Sequence, residues 1–340
     1  MSARDLKSRA DISNLFRKGI RVKVFNKSTN ALNTRVFGVL IALTLTFVIF
    51  GFLEPVFLSS DILLEIGVQS TIIALVALGL TFVIITGGID ISVGAIVGLT
   101  AVLCATNLQS WGTALTIVMA FVISSLLGLF NGVMSAVFNL QSFVVTLATL
   151  NLFRGIAFVY TQGRPIYNLD SGFRDFFSAD LGPIPKPVIF LIGATITAYL
   201  ILNKSRLGLH LKAIGTNMDA ARRSGVKVRR VQIAGFVLCG AFCGLGTLMF
   251  ISRIGAAEPI SGTGFELQAI AAVVVGGTSL MGGRGSIVGT TLGAILLGSI
   301  TVGLTLLNVN AFVQLVITGL IVLGAVLTDR FTSKPKGDLK

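Results

Sequence analysis

Ten apolar runs succeed one another along the chain, at 36–53, 62–85, 91–105, 112–138, 143–160, 188–202, 231–251, 266–275, 287–307 and 312–327. A helix needs about 20 apolar residues to cross the hydrocarbon of a bilayer, and most of these runs meet or approach that length. Hydrophobic residues make up 54% of the 340 and charged residues 12%, against about 25% charged in a soluble domain. A water-soluble core could not hide so much apolar surface, so most of it must face lipid or neighbouring helices. Glycine supplies 39 residues without a collagen-like G-X-Y period, which suits helices packed backbone to backbone. The expected fold is all-α, a polytopic transmembrane helix bundle of about ten spans. The eighth run is short and flanked by glycine. It reads either as a crossing or as a half-helix, which is tolerated at membrane depth when buried in protein.

Charge supplies the orientation. Nine of the 27 Lys and Arg lie in 1–35, eight in 204–230 and four in 329–340. Basic clusters between apolar runs mark the cytoplasmic side of a membrane protein. Ten spans with the amino end inside leave outside only Arg154, Arg164, Arg174, Lys186 and Arg253, together with Glu54, Asp61, Asp170, Asp175, Asp180 and Glu258. Nine or eleven spans would put one terminal cluster on the wrong side. Both termini are therefore expected in the cytoplasm. The organisation is a basic tail at 1–35, a membrane domain at 36–328 with a basic loop at 204–230, and a second tail at 329–340. The basic amino segment and the run after it are too long for a cleavable signal. The net charge of +13 does not point to nucleic acid, because no aromatic-basic surface or reader motif accompanies it.

The polar residues inside this frame are few. Cys104, Cys239 and Cys243 sit in apolar runs and the one histidine, His210, in the basic loop. Neither a metal site, a disulfide framework nor a Ser-His-Asp arrangement is supported. GGTSLMGGRGS at 276–286 lacks the Lys-Ser/Thr ending of a phosphate loop, so ATP is not expected on this chain. GGIDISVG at 87–94 breaks the apolar pattern. Gly87 or Gly88 can end one helix in the left-handed conformation, and Asp90 can cap the next by accepting from the amide of Ser92 or Val93. An ion relay or a pore contact are the other readings of Asp90. TGFE at 263–266 fits a capping box of Thr263 and Glu266. Arg154 can snorkel, meet an acidic partner or touch a solute. Ser142, Thr146, Thr149 and Phe153 share one helix face; the hydroxyls either bond across helices or line a hydrated path. The pairs Gly94/Gly98 and Gly240/Gly244 and the series Gly285/Gly289/Gly293 mark close helix crossings. In the basic loop, GTNMDAARRSGV at 215–226 has its own helix grammar. Asn217 caps, Asp219 suits the first turn, Arg222 and Arg223 the last, and Gly225 stops a short helix at about 218–224. Such a helix lies on anionic lipid or docks a cytoplasmic partner.

Four longer stretches carry a resemblance: GLTFVIITGGIDISVGA at 79–95, FVVTLATLNLFRGIAFVYTQGRPI at 143–166, SRLGLHLKAIGTNMDAARRSGVKV at 205–228 and GTGFELQAIAAVVVGGTSLMGGRGSIVGTTLGAILLG at 262–298. In this order they resemble the permease subunits of bacterial ATP-binding-cassette (ABC) importers for pentoses and hexoses, of the ribose, xylose and galactoside type, over about residues 60–330. The resemblance implies a pore made by two permease chains, identical or paralogous, in the bacterial inner membrane. It implies two cytoplasmic ATPase subunits that hold ATP and Mg, and a periplasmic sugar-binding protein that delivers the solute. The ATPases would dock on a coupling helix mapped onto Asn217, Met218, Asp219, Ala220, Ala221, Arg222, Arg223, Ser224 and Gly225. Thr301, Val302 and Thr305 stand where the family often has Asn. Permeases for branched-chain amino acids and nucleosides share the architecture and form the alternative. An ion-coupled secondary transporter would show paired buried acids, and only Asp90 and Glu266 qualify.

Overall fold

The computed structural model describes residues 36–333 apart from position 168. The tails expected at 1–35 and 334–340 lie outside the described residues. Twelve helices follow in order: α1 (Val36–Leu53), α2 (Ser60–Ile84), α3 (Val93–Ala136), α4 (Ser142–Thr161), α5 (Ser171–Ser178), α6 (Lys186–Lys204), α7 (Arg206–Thr216), α8 (Met218–Arg223), α9 (Val228–Ile254), α10 (Phe265–Val275), α11 (Ile287–Leu306) and α12 (Ala311–Ser333). Seven of them, α1, α2, α3, α4, α6, α9 and α11, are long and apolar enough to cross a membrane. The two-residue strands β1 (Asp180–Leu181) and β2 (Ile184–Pro185) pair antiparallel, a small exception among mostly helical described residues.

α3 is a hairpin of two arms. Gly112 leaves helical geometry at φ 68°, ψ 172°. Cys104 Sγ then comes within 4.0 Å of the Thr116 carbonyl, a pair that would stand about 18 Å apart along an unbroken helix. Asn131 on the second arm reaches back to Ser92 at the start of the first, Nδ2 to Oγ 2.7 Å. The run expected to end at 105 therefore stays helical to the reversal beside Trp111. The two arms correspond to the third and fourth apolar runs.

α2 is the central element, buried over nearly all of 70–85. α9 packs on α2 and α3, and α11 packs on α2 and α10. Backbone closeness explains the glycines here. A Cβ at Gly240 or Gly244 would press on the main chain of Ser124 or Ala120, and one at Gly128 on that of Phe236. Gly289 and Gly293 meet the backbone of Gly276 and Ala272 in the same way, across the α10–α11 turn. α1 is peripheral. Phe50 stacks on Phe57, with centroids 5.3 Å apart, and presses on Gly303 of α11. Phe37, Val48 and Phe52 remain exposed, as a lipid-facing helix requires.

Helix ends at membrane depth must satisfy their own carbonyls. Five of the helices, inside and outside the apolar bundle, end alike, with a left-handed residue and a six-to-one return bond. In α2, Gly87 has φ 84°, its N–H donates to Ile84 O at 2.9 Å, and the Gly88 N–H donates to Val83 O at 3.3 Å. Gln162, Gly225, Gly277 and Asn308 hold the same place after α4, α8, α10 and α11. The polar stretch 161–186, between the fifth and sixth apolar runs, contains α5. Asp170 accepts from the Phe173 N–H at 2.9 Å, and Phe173 and Phe177 are buried with Phe190 behind them. At 11 residues, α10 rises about 16 Å, half of a bilayer core. The eighth run is thus a half-helix, entered through the irregular segment 255–264.

Candidate functional site

Two regions break the apolar bundle. The first is the basic loop, which holds two helices rather than the one expected. α7 begins on Ser205, whose Oγ accepts from the Gly208 N–H at 3.1 Å, and buries Leu211 and Ile214. Its carboxyl end rests on the ends of two other elements. A Cβ at Gly215 would run into the Ile85 carbonyl and the Gly283 amide, and that amide donates to Ile85 O at 2.8 Å. Lys212 donates to Asn203 Oδ1 at 2.8 Å, and partial burial lowers its pKa. α8 follows at once. The Asn217 side chain accepts from the Ala220 N–H at 2.9 Å, Asp219 lies in the first turn, and Arg222 and Arg223 in the last. Ser224 follows the helix and Gly225 turns at φ 85°. Only Ala221 is buried; Met218, Asp219, Ala220, Arg222 and Arg223 are exposed. The Arg222–Asp219 pair at 3.9 Å is exposed on both sides and contributes little. α8 is therefore a short, cationic, solvent-facing knob on a rigid stem.

The second region is the pair of chain breaks at 85–92 and 255–264. Asp90 is fully buried and accepts from the Ser92 N–H at 2.9 Å and the Ser92 hydroxyl at 2.7 Å. The helix starts one residue beyond, at Val93, with Ser92 in the capping position. Asp90 thus makes the expected bond to the Ser92 amide, while Ser92 itself holds the cap position. Asp90 anchors a buried network with Ser92 and Asn131, because the α3 hairpin brings the second arm beside it. The stripe on α4 serves the same break. Ser142 Oγ accepts from the Ile89 N–H at 3.0 Å, and Thr146 Oγ1 accepts from the Ile91 N–H at 3.2 Å. Thr149 and Phe153 are buried on the same face, Thr149 bonding to Thr146 O and Phe153 packing on Phe130. In this conformation the stripe faces protein, and its upper hydroxyls supply partners that the 87–92 backbone cannot find in a helix.

In the segment before α10, Arg154 Nη1 donates to Pro259 O at 2.8 Å and to Ser261 O at 2.6 Å. The capping box expected of Thr263 and Glu266 does not form. Gly264, at φ 85°, takes the cap position itself. The Thr263 hydroxyl turns back to Ile260 O at 2.6 Å, and Glu266 Oε1 accepts from the Gly264 N–H at 3.2 Å. Gly94 and Gly98 also differ from expectation. Their small faces receive this irregular segment, not a crossing helix: a Cβ at Gly94 would strike the Gly262 carbonyl and the Glu266 carboxylate, and one at Gly98 the Ser261 carbonyl and Arg154.

This arrangement, an apolar bundle with buried breaks and an exposed basic knob, suits a conduit with a docking surface, and comparison decides its kind. Residues 62–326 match the family described as branched-chain amino acid transport system / permease component. The chain belongs to this permease family. It is 42% identical over 296 residues to the ribose import permease protein of Bacillus subtilis (strain 168), covering 86% of this chain and 92% of that one. Against the ribose import permease protein of Escherichia coli (strain K12) the identity is 38% over 296 residues, covering 85% and 92%. Against the D-allose transport system permease protein of the same strain it is 35% over 301 residues, covering 88% and 92%. No solved structure matches the chain.

In this permease the sequence reading missed α7 and Asn131. The Ser205 cap followed by Leu207, Leu211 and Ile214 at helical spacing was the available signal for α7. Nothing local marks Asn131, because its partner lies 41 positions away.

Proposed function

We propose that this chain is the membrane-spanning permease of an ABC importer for a sugar or sugar-like solute. The similarity to ribose and allose permeases over nearly nine-tenths of the chain carries this reading. The family description names branched-chain amino acids, and the curated relatives' names favour a sugar over that alternative. In this reading the chain crosses the inner membrane ten times with both termini in the cytoplasm. α1, α2, the two α3 arms, α4, α6, α9, α11 and α12 cross, and α10 with the segment before it forms the remaining passage. A second permease chain completes the pore. α8 is the coupling helix for a cytoplasmic ATPase, which holds the ATP and Mg. The stem α7 rests on the carboxyl end of α2 and on the 281–284 loop, so a displacement of α8 reaches the transmembrane core through packed backbone. A periplasmic binding protein presents the solute at the outer face.

Affinity purification of the tagged chain from its native membrane tests the assembly. The reading expects an ABC ATPase and a sugar-binding protein to be retained, and a thermal-shift screen of that binding protein against sugars to return one class. Uptake that ignores ATP and collapses with an ionophore would replace the reading with ion-coupled transport.

A further inference from the structure

Arg154 and Glu266 are ionisable groups at membrane depth, where such groups are expensive and usually functional. At 1.5 Å per residue, Arg154 lies about 18 Å along α4 from Ser142 and about 10 Å short of Thr161. The two lie over glycines one helical turn apart, Arg154 over Gly98 and Glu266 over Gly94, yet they form no ion pair among the described residues. Arg154 spends one terminal nitrogen on the Pro259 and Ser261 carbonyls, a small part of a five-donor fork. Glu266 spends Oε1 on the Gly264 amide, and its Oε2 is buried without any hydrogen-bond partner. A buried acceptor left without a donor is costly.

Both groups lie over one floor. Gly94 and Gly98 are one helical turn apart on α3 and have no side chain to lift them away. The roof is the irregular segment 259–264, on which Ile260 and Thr263 are exposed, as is Leu267 in the helix that follows. Floor and roof touch, so the seam between them is closed in this conformation; where it parts, it presents a carboxylate acceptor and a guanidinium donor, with no net charge between the two side chains. Adjacent hydroxyls on a sugar ring are donors and acceptors at once and match this set, and charge-assisted bonds of this type are the stronger ones.

We propose that Glu266 and Arg154 are the solute-engaging pair of the translocation path, Glu266 Oε2 accepting from a hydroxyl of an uncharged polyhydroxylated solute and Arg154 donating to its neighbour. This rests on the importer reading above. The test uses the complete importer, permease with its ATPase and binding protein, in proteoliposomes. Glu266→Gln keeps a carbonyl oxygen for the Gly264 amide and changes only the spare atom. Assembly and binding-protein-stimulated ATP hydrolysis should persist, uptake should fall about tenfold, and preference for the solute over its deoxy analogues should shrink. Unchanged uptake and unchanged preference would overturn the proposal. If the variant fails to assemble, Thr263→Cys in the otherwise native chain decides. Solute should slow its thiol labelling during ATP-driven turnover and leave Arg164→Cys, on the exposed turn after α4, unaffected, and equal labelling with and without solute would overturn the proposal. A wild-type importer that moves no sugar would instead sink the importer reading.

Discussion

At the scale of single residues, the polar groups of this chain mostly repair broken backbone. Asp90 gathers three donors at a fully buried position, the Ser92 amide and hydroxyl and the Asn131 amide. Leaving such groups without an acceptor costs about 1–3 kcal/mol each. Asp90→Ala should therefore lower the thermal midpoint of the detergent-purified chain clearly. Asp90→Asn, which retains one acceptor oxygen for the Ser92 amide, should lower it less. Equal midpoints for the two, followed by intrinsic fluorescence on heating, would show that the network does not hold the break. Local chemistry such as the left-handed Gly87 was legible in the sequence, because everything it needs lies within five residues. The Asp90–Asn131 contact was not, because a hairpin at Gly112 had to be known first. The expected Thr263–Glu266 box failed by a single register position, since Gly264 itself adopts the backbone of the cap.

At the scale of elements, the same contrast separates α8 from the small-residue pairs. α8 was readable from Asn217 to Gly225, as its cap, charges and stop are all local. A GxxxG pair announces that some backbone approaches but not whose. At Gly240/Gly244 the visitor is a helix, and at Gly94/Gly98 it is an irregular segment. Ala221→Pro should break α8, because the Ala221 N–H donates to Asn217 O at 3.0 Å and proline has no such donor. The variant should insert normally yet lose binding-protein-stimulated ATP hydrolysis; a full rate would remove α8 from the coupling role. Gly240→Val should overpack the α3–α9 crossing by about 1–3 kcal/mol and lower yield and midpoint together, as size-exclusion and melting profiles would show. An unaltered profile would mean that the two backbones are not held as close as their geometry indicates.

At the scale of the whole molecule, orientation decides which partner each face can meet. The three cysteines are buried, so introduced thiols report cleanly. An impermeant maleimide applied to intact cells should label Arg164→Cys, on the exposed turn after α4, and spare Lys227→Cys, beside α8. The reverse pattern would invert the topology and move α8 to the wrong side for a cytoplasmic ATPase. The apolar frame and its charge asymmetry were visible from composition and spacing alone, and so was the choice between a crossing and a half-helix for α10, whereas the packing of the segment before it on α3 and α4 was not. The most direct measurement is uptake of labelled ribose and related sugars into proteoliposomes carrying this permease with its ATPase and binding protein. Accumulation that requires ATP and the binding protein, and that survives an ionophore, is the predicted result. Accumulation by the chain alone, driven by an ion gradient and indifferent to ATP, would contradict the account.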